Sequence, residues 1–244
     1  MRQLWPTSIE GIDLLDAFAP PPHEATSHLR INMVSSLDGA ISIEGKSEGL
    51  SGPADRRAFH TMRGLADVIL VGAGTMREEN YGPSKMSPEE QARRQGRGQN
   101  PIPPIAVVTR SASFDWNAPF FRDAASRPII LTTHDGAIAA QGAPDVADII
   151  ECGSHDVDLA LAIKELASRG LTSLLCEGGP TLNADLLSAG LVNELCLTIS
   201  PLIVQGSGKK IFDGSQLETP AGFDTTHVFM EDGFLFLRLA CKQH

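Results

Sequence analysis

The residues best suited to chemistry lie in Glu177-Gly178-Gly179-Pro180-Thr181-Leu182, directly after the apolar run Leu174-Leu175-Cys176. Paired glycines take backbone angles closed to other residues and let a ligand approach the main chain. Pro180 suits the first position of a helix, where a missing N–H costs little. The N–H groups of Thr181, Leu182 and Asn183 are then left at the positive end of that helix, an arrangement that binds a pyrophosphate. A plain strand-to-helix turn uses the same residue types, and shape alone does not separate the two readings. The segment is not a G-x-G-x-x-G fingerprint, and Gly72-Ala73-Gly74 supplies only its first half, so a standard dinucleotide-binding βαβ unit is not expected.

Other chemistries find little support. Cys152, Cys176, Cys196 and Cys241 have no C-x-x-C spacing and no His at metal-ligand spacing, so they read as buried free thiols in a reducing compartment. The seven His are scattered (His23, His28, His60, His134, His155, His227 and His244) and form no pattern of a Ser-His-Asp hydrolase. A net charge of −10 argues against general binding of nucleic acid or anionic membranes, while a local anion site remains open. No run approaches the about 18 apolar residues of a membrane span. Met1–Thr7 is not followed by an apolar h-region, so the default expectation is a soluble, cytoplasmic protein.

The elements that would position these residues follow from alternation. Short apolar runs at Leu29–Val34, Val68–Val71, Ile105–Val108, Ile129–Leu131, Ile149–Ile150, Leu174–Cys176 and Leu195–Ile199 read as strands. Helices are expected at Pro53–Leu65, Ala137–Gln141, Asp156–Ser168 and Pro180–Ala189, with Asp156 able to cap the third. Continuously apolar strands alternating with helices imply a largely parallel sheet covered on both faces. His227–Met230 and Phe234–Leu239 flank Glu231-Asp232-Gly233, a hairpin signal that makes the sheet mixed and ends it in antiparallel strands. Residues 1–27 read as an arm with one short helix ending before Pro20-Pro21-Pro22, packed on the domain or on a partner subunit. Residues 82–103 lack an apolar period and read as a mobile loop beside a site, or as disorder. Aromatics are only 5%, leaving the core mainly to aliphatic side chains.

Four ordered stretches carry a family resemblance. They are Ser35-Ser36-Leu37-Asp38-Gly39, Leu65–Thr75, the segment from Glu177 through Leu195, and Ile199-Ser200-Pro201-Leu202-Ile203. Over about residues 29–240 the chain resembles the C-terminal reductase domain of riboflavin-biosynthesis deaminase/reductases. The resemblance implies a dihydrofolate-reductase-like α/β fold, NADPH as cofactor and a homodimer, with a reductase domain at 28–244 behind the arm. It also implies reduction of the ribosyl carbonyl of a 5-amino-6-(5-phosphoribosylamino)uracil-like pyrimidine. The H-x-E and P-C-x-x-C of the zinc deaminase half are absent, so a stand-alone reductase without metal is expected.

Carried over by position, the resemblance sets Val34, Gly74 and Thr75 against the nicotinamide and its ribose, Thr75 otherwise serving as a helix cap. Glu79 stands where the family has an Asp, able to orient the ring or move a proton, or simply a solvated helix-end acid. Thr109, Arg110 and Ser111 suit the 2′-phosphate of NADPH, and no acid stands among them to favour NADH. Gly178, Gly179, Pro180, Thr181 and Leu182 complete the cofactor set. Arg63, Glu177 and Asp38 form the substrate set. Arg63, like Arg56 and Arg57, could instead pair with Asp55 or Asp67, and Asp38 reads more readily as a turn residue. The family's Arg-bearing tail is not recognisable after Glu79, which keeps two alternatives in view: C=N reduction of a pterin, and NADPH binding without turnover.

Overall fold

The computed structural model describes residues 1–21, 27–142 and 145–242. In chain order the elements are β1 (Arg2–Trp5), α1 (Leu14–Phe18), β2 (His28–Ser35), α2 (Pro53–Leu65), β3 (Val68–Gly72), α3 (Ala73–Glu78), α4 (Pro88–Gly96), β4 (Ile105–Val108) and α5 (Pro119–Arg122). They continue with β5 (Ile129–Thr132), α6 (His134–Ala139), β6 (Asp148–Glu151), α7 (Leu159–Ser168), β7 (Ser173–Cys176), α8 (Pro180–Ser188), β8 (Glu194–Ile199), β9 (Phe223–Glu231) and β10 (Phe234–Cys241). The chain divides into two compact units, the first holding the described residues of Met1–Pro22, His28–Leu65 and Leu175–His244, the second those of Ala66–Leu174.

In the first unit, β1 pairs with β9, β9 with β10 and β10 with β8, all antiparallel. β2 then pairs with β8 in parallel, Val34 opposite Thr198 and Ser35 opposite Ile199. The β9–β10 hairpin turns at Asp232 and Gly233, whose φ of 51° and 82° are the paired positive angles of a type I′ turn. Three buried charges sit on these strands. The Glu194 carboxylate accepts from Arg30 Nε at 2.5 Å and Arg238 Nε at 2.6 Å, with His28 Nε2 at 3.3 Å. The two guanidiniums reach on to the carbonyls at the end of α1, Arg30 Nη1 to Phe18 at 2.7 Å and Arg238 to Ala17 and Ala19. The arm is therefore fastened twice, by β1 at the sheet edge and by this ionic clasp under α1. Its remaining part, residues 22–26 with Pro22 and His23, lies outside the described residues.

In the second unit β3, β4, β5 and β6 form consecutive parallel pairs, Gly72 opposite Val108, Val108 opposite Leu131 and Thr132 opposite Glu151. Phe114, Trp116, Phe120 and Phe121 pack edge-on or tilted at α5, with centroids 4.8–5.4 Å apart, so aromatic rings hold one side of an otherwise aliphatic core. The mixed, mostly parallel architecture with antiparallel strands at the C-terminus is the expected one.

Four local expectations are corrected. Residues 82–103 contain helix α4, opened by a capping box in which Ser87 and Glu90 satisfy each other's backbone N–H. Its buried anchor is Arg94 (0% exposed), whose guanidinium donates to Ala66 O at 2.6 Å and Asn100 O at 2.8 Å, so no apolar period marks the helix. α7 is capped by Asp158, not Asp156: Leu161 N–H donates to Asp158 Oδ1 at 2.9 Å. α6 begins earlier than expected because Thr133 caps it through Gly136 N–H at 3.1 Å. All four Cys are free thiols, but Cys241 is only half-buried. No helix among the described residues is long and apolar enough to cross a membrane.

Candidate active site

In the first unit the glycine bend leads from the end of β7, Leu175-Cys176, into α8. Gly179 is the N-cap and Pro180 the first helical residue, and no side chain caps the end. Asn183 N–H, expected to be left over, is used by the helix itself, donating to Gly179 O at 2.9 Å. Helix geometry supplies no acceptor for the N–H groups of Thr181 and Leu182. Gly178 has φ +96°, and a Cβ there would lie 3.4 Å from Met33 Sδ. Both glycines are buried, so the exposed part of the bend begins at Pro180 and Thr181. The Gly178–Gly179 peptide is cis.

Beside the bend, Arg63 and Glu177 form one unit. Arg63 Nε and Nη2 each reach a different Glu177 carboxylate oxygen at 2.7 Å, the fork-to-fork pairing that a guanidinium favours. The Arg63 guanidinium also lies over the Phe59 ring, 4.4 Å from its centroid. Asp55 accepts from Ser51 Oγ, and Asp67 holds the Thr172 and Ser173 N–H groups. Arg57 turns instead to Glu231 at 2.9 Å. Asp38 accepts from Ser36 Oγ at 2.5 Å, Val204 N–H at 3.2 Å and Gln205 N–H at 2.7 Å. The Ser36 hydroxyl, then those two amides, pull its carboxyl down to about 2. Both Asp38 oxygens thus pin the loop after β8 to the exit of β2, a few residues beyond half-buried Val34.

In the second unit the parallel ends of β3 and β4 bring their exits to one edge. α3 starts immediately after β3, so Gly74 and Thr75 lie inside its first turn and Gly72 is the cap, again without a side-chain bond. Gly74 is exposed, with open space where a side chain would stand. Glu79 is the half-buried C-cap of α3, its N–H on Thr75 O at 2.9 Å. Thr109 is buried, and Arg110 is exposed with its carbonyl held by Thr133 Oγ1 at 2.8 Å and Thr132 Oγ1 at 3.3 Å. Of the seven His, His23 and His244 lie outside the described residues. Among the described residues no group of His, Cys, Asp and Glu could hold a metal ion.

The family model described as the RibD C-terminal domain matches residues 27–239. The chain belongs to the RibD C-terminal domain family. Within reach of this family lies the 2,5-diamino-6-ribosylamino-4(3H)-pyrimidinone 5′-phosphate reductase of Methanothermobacter thermautotrophicus, 29% identical over 78% of this chain and 86% of its own length. The protein of the same name from Archaeoglobus fulgidus is 28% identical over 72% of this chain and 81% of its own. Among solved structures, a pyrimidine reductase-like protein from Corynebacterium diphtheriae matches with TM-score 0.82 over 96% of this chain and all of its own, at 24% identity. The Saccharomyces cerevisiae riboflavin biosynthesis reductase matches at 0.69 over 91% and 93%, at 18% identity. At such identities these structures attest the shared fold alone.

Three side-chain contacts of this RibD C-terminal domain are not legible in the sequence. Met33 backs Gly178. Asn183 is fully buried and its Nδ2 donates to Ile211 O at 3.0 Å, tying a long loop to the start of α8. Asp156 stands 3.6 Å from Arg110 Nη1. Met33 is an ordinary strand hydrophobe in the sequence, Asn183 is expected there only to offer its backbone N–H, and Asp156 only to cap a helix.

Proposed function

We propose that the protein is an NADPH-dependent reductase of the riboflavin-biosynthesis type, acting on the ribosyl carbonyl of a ribosylaminopyrimidine 5′-phosphate. The observation that carries this reading is the match, over 72–78% of this chain, to relatives named as pyrimidinone phosphate reductases. Those names favour the 2,5-diamino pyrimidinone over the uracil-type substrate.

Three features support a nucleotide cofactor. α8 begins without a side-chain cap, Gly74 leaves open space, and Arg110 is 78% exposed at a strand exit. When bound, NADPH supplies a hydride from its nicotinamide ring. In the first unit, Thr181 and Leu182 would donate N–H to a diphosphate at the positive end of α8, where anions are favoured, with Gly178, Gly179 and Pro180 shaping the approach. Half-buried Val34 would lie against the nicotinamide. Taken by itself, the second unit offers Gly74 and Thr75 for a ribose, Thr109 and Arg110 for a 2′-phosphate, and Glu79 to orient a ring or carry a proton. For the substrate, Arg63 and Glu177 act as one pair, the more open guanidinium held in place by the buried Glu177 carboxylate and the Phe59 ring. Asp38 acts by holding the 204–205 backbone. A homodimer goes with this reading, checked by light scattering.

The test is oxidation of NADPH and of NADH, followed by the absorbance of the reduced nicotinamide, on adding the 2,5-diamino pyrimidinone phosphate, its uracil counterpart or dihydrofolate. Turnover with a ribosylaminopyrimidine phosphate and NADPH is expected. NADPH binding without oxidation in any mixture overturns the reductase reading, and turnover with dihydrofolate alone overturns the substrate.

A further inference from the structure

We propose that Asp156 sets coenzyme selectivity by opposing, through Arg110, the phosphate that distinguishes NADPH from NADH. This rests on the reading of Arg110 as the 2′-phosphate partner. No acid stands beside Arg110 in the chain, yet the fold of the second unit brings one to it.

Both partners are held by built backbone. Thr109 N–H donates to Leu131 O at 3.0 Å, and the Arg110 carbonyl accepts from Thr132 and Thr133 hydroxyls. A Cβ on Gly136 would come within 2.5 Å of that carbonyl, so the neighbouring helix is packed directly against it. On the other side, the loop from β6 to α7 folds back on itself. Asp158 N–H donates to Cys152 O at 2.7 Å, and Gly153 takes φ +114° where any Cβ would clash with the Asp156 carbonyl. The loop thus closes through a glycine that leaves room for Asp156.

The resulting ion pair is open to water, with side chains 78% and 82% exposed and 3.6 Å between Nη1 and Oδ1. That distance is too long for a hydrogen bond. So exposed a pair adds little to folding stability. Its effect falls on an approaching ligand. A phosphomonoester carries nearly two negative charges, and Asp156 cancels much of the single positive charge that Arg110 offers. For NADH the same carboxylate is an acceptor near a ribose hydroxyl, the arrangement by which acids at strand exits select the unphosphorylated coenzyme. Asp156 therefore holds the preference for NADPH below what Arg110 alone would provide.

The test uses the intact protein and titrates NADPH and NADH separately at low ionic strength. Asp156→Asn is expected to bind NADPH about three- to tenfold tighter, with NADH unchanged or weaker, the gain shrinking as salt screens the charge. Asp156→Glu is expected to stay near the parent, and the thermal midpoint of all variants is expected not to move. NADPH affinity unchanged or lowered in Asp156→Asn, or both coenzymes moving together, overturns the proposal. Arg110→Ala separates the two ideas. If it erases the NADPH preference while Asp156→Asn has no effect, only the role of Asp156 fails. If it leaves the NADPH to NADH ratio untouched, the Arg110 reading fails and takes this one with it.

Discussion

Replacing Glu194 by Gln removes the acid shared by two buried guanidiniums, and the size of the effect can be worked from the site. Burial by itself would raise the Glu194 pKa. The hydrogen bond from His28 and the charges of Arg30 and Arg238 outweigh it and bring the carboxyl from 4.5 to about 2. At about 1.4 kcal/mol per pH unit, that fall corresponds to about 3 kcal/mol of stability. The sign follows from proton uptake. The unfolded chain takes the proton near 4.5 and the folded one only near 2, so the contribution is complete above 4.5 and is lost as pH falls toward 2. In Glu194→Gln the two guanidiniums face a neutral amide, and the loss near neutral pH is about 3–5 kcal/mol, as for other broken buried pairs. Urea unfolding followed by circular dichroism, for both proteins between pH 7 and about pH 2, isolates this group from the other carboxyls. The difference in unfolding free energy is expected to stay level down to about pH 5 and then to shrink by about 3 kcal/mol. A difference that stays constant through that window would refute the reasoning.

Other consequences follow from packing. Gly136→Ala drives a methyl into Thr132 Oγ1 and to within 2.5 Å of the Arg110 carbonyl, and is expected to cost about 1–3 kcal/mol in thermal melting; an unchanged midpoint would contradict this contact. Arg94→Met frees the carbonyls of Ala66 and Asn100 and is expected to make the 82–103 segment the first site of limited proteolysis. Equal resistance in parent and variant would show that Arg94 is not its anchor. Arg63→Met and Glu177→Gln, singly and together, are expected to show a coupling of about 2 kcal/mol or more in a double-mutant cycle, the pair being only 15% and 2% exposed. Additive losses would mean that each side chain acts alone.

Where burial of apolar residues makes an element, the sequence is legible. Ile105–Val108 and Pro53–Leu65 have the expected bounds because a parallel strand is apolar throughout and α2 begins on a proline. Elements made by polar contacts were hidden. α4 buries one arginine and shows no stripe, although its Ser87-Pro88-Glu89-Glu90 start is a capping box in plain view. β1 is four residues on a sheet edge, mostly exposed, and its partner β9 lies at the other end of the chain. At the site, the bend from Glu177 to Leu182 was readable because glycine and proline have few other uses there. The Arg63–Glu177 pair was not, since 114 positions separate its members and several acids were nearer in sequence. The same holds for Asp156, which reaches Arg110 only because the parallel strands end at one edge.

The most direct measurement of the central claim is the fate of the transferred hydrogen. The protein is incubated with NADPH deuterated at the nicotinamide C4 and the pyrimidinone ribosyl phosphate on which its relatives are named, and the product is read by mass and NMR. A single deuterium on the former ribosyl carbonyl carbon, now an alcohol, is the predicted result. Unlabelled sugar with the coenzyme intact, or deuterium on the pyrimidine ring, would contradict the account.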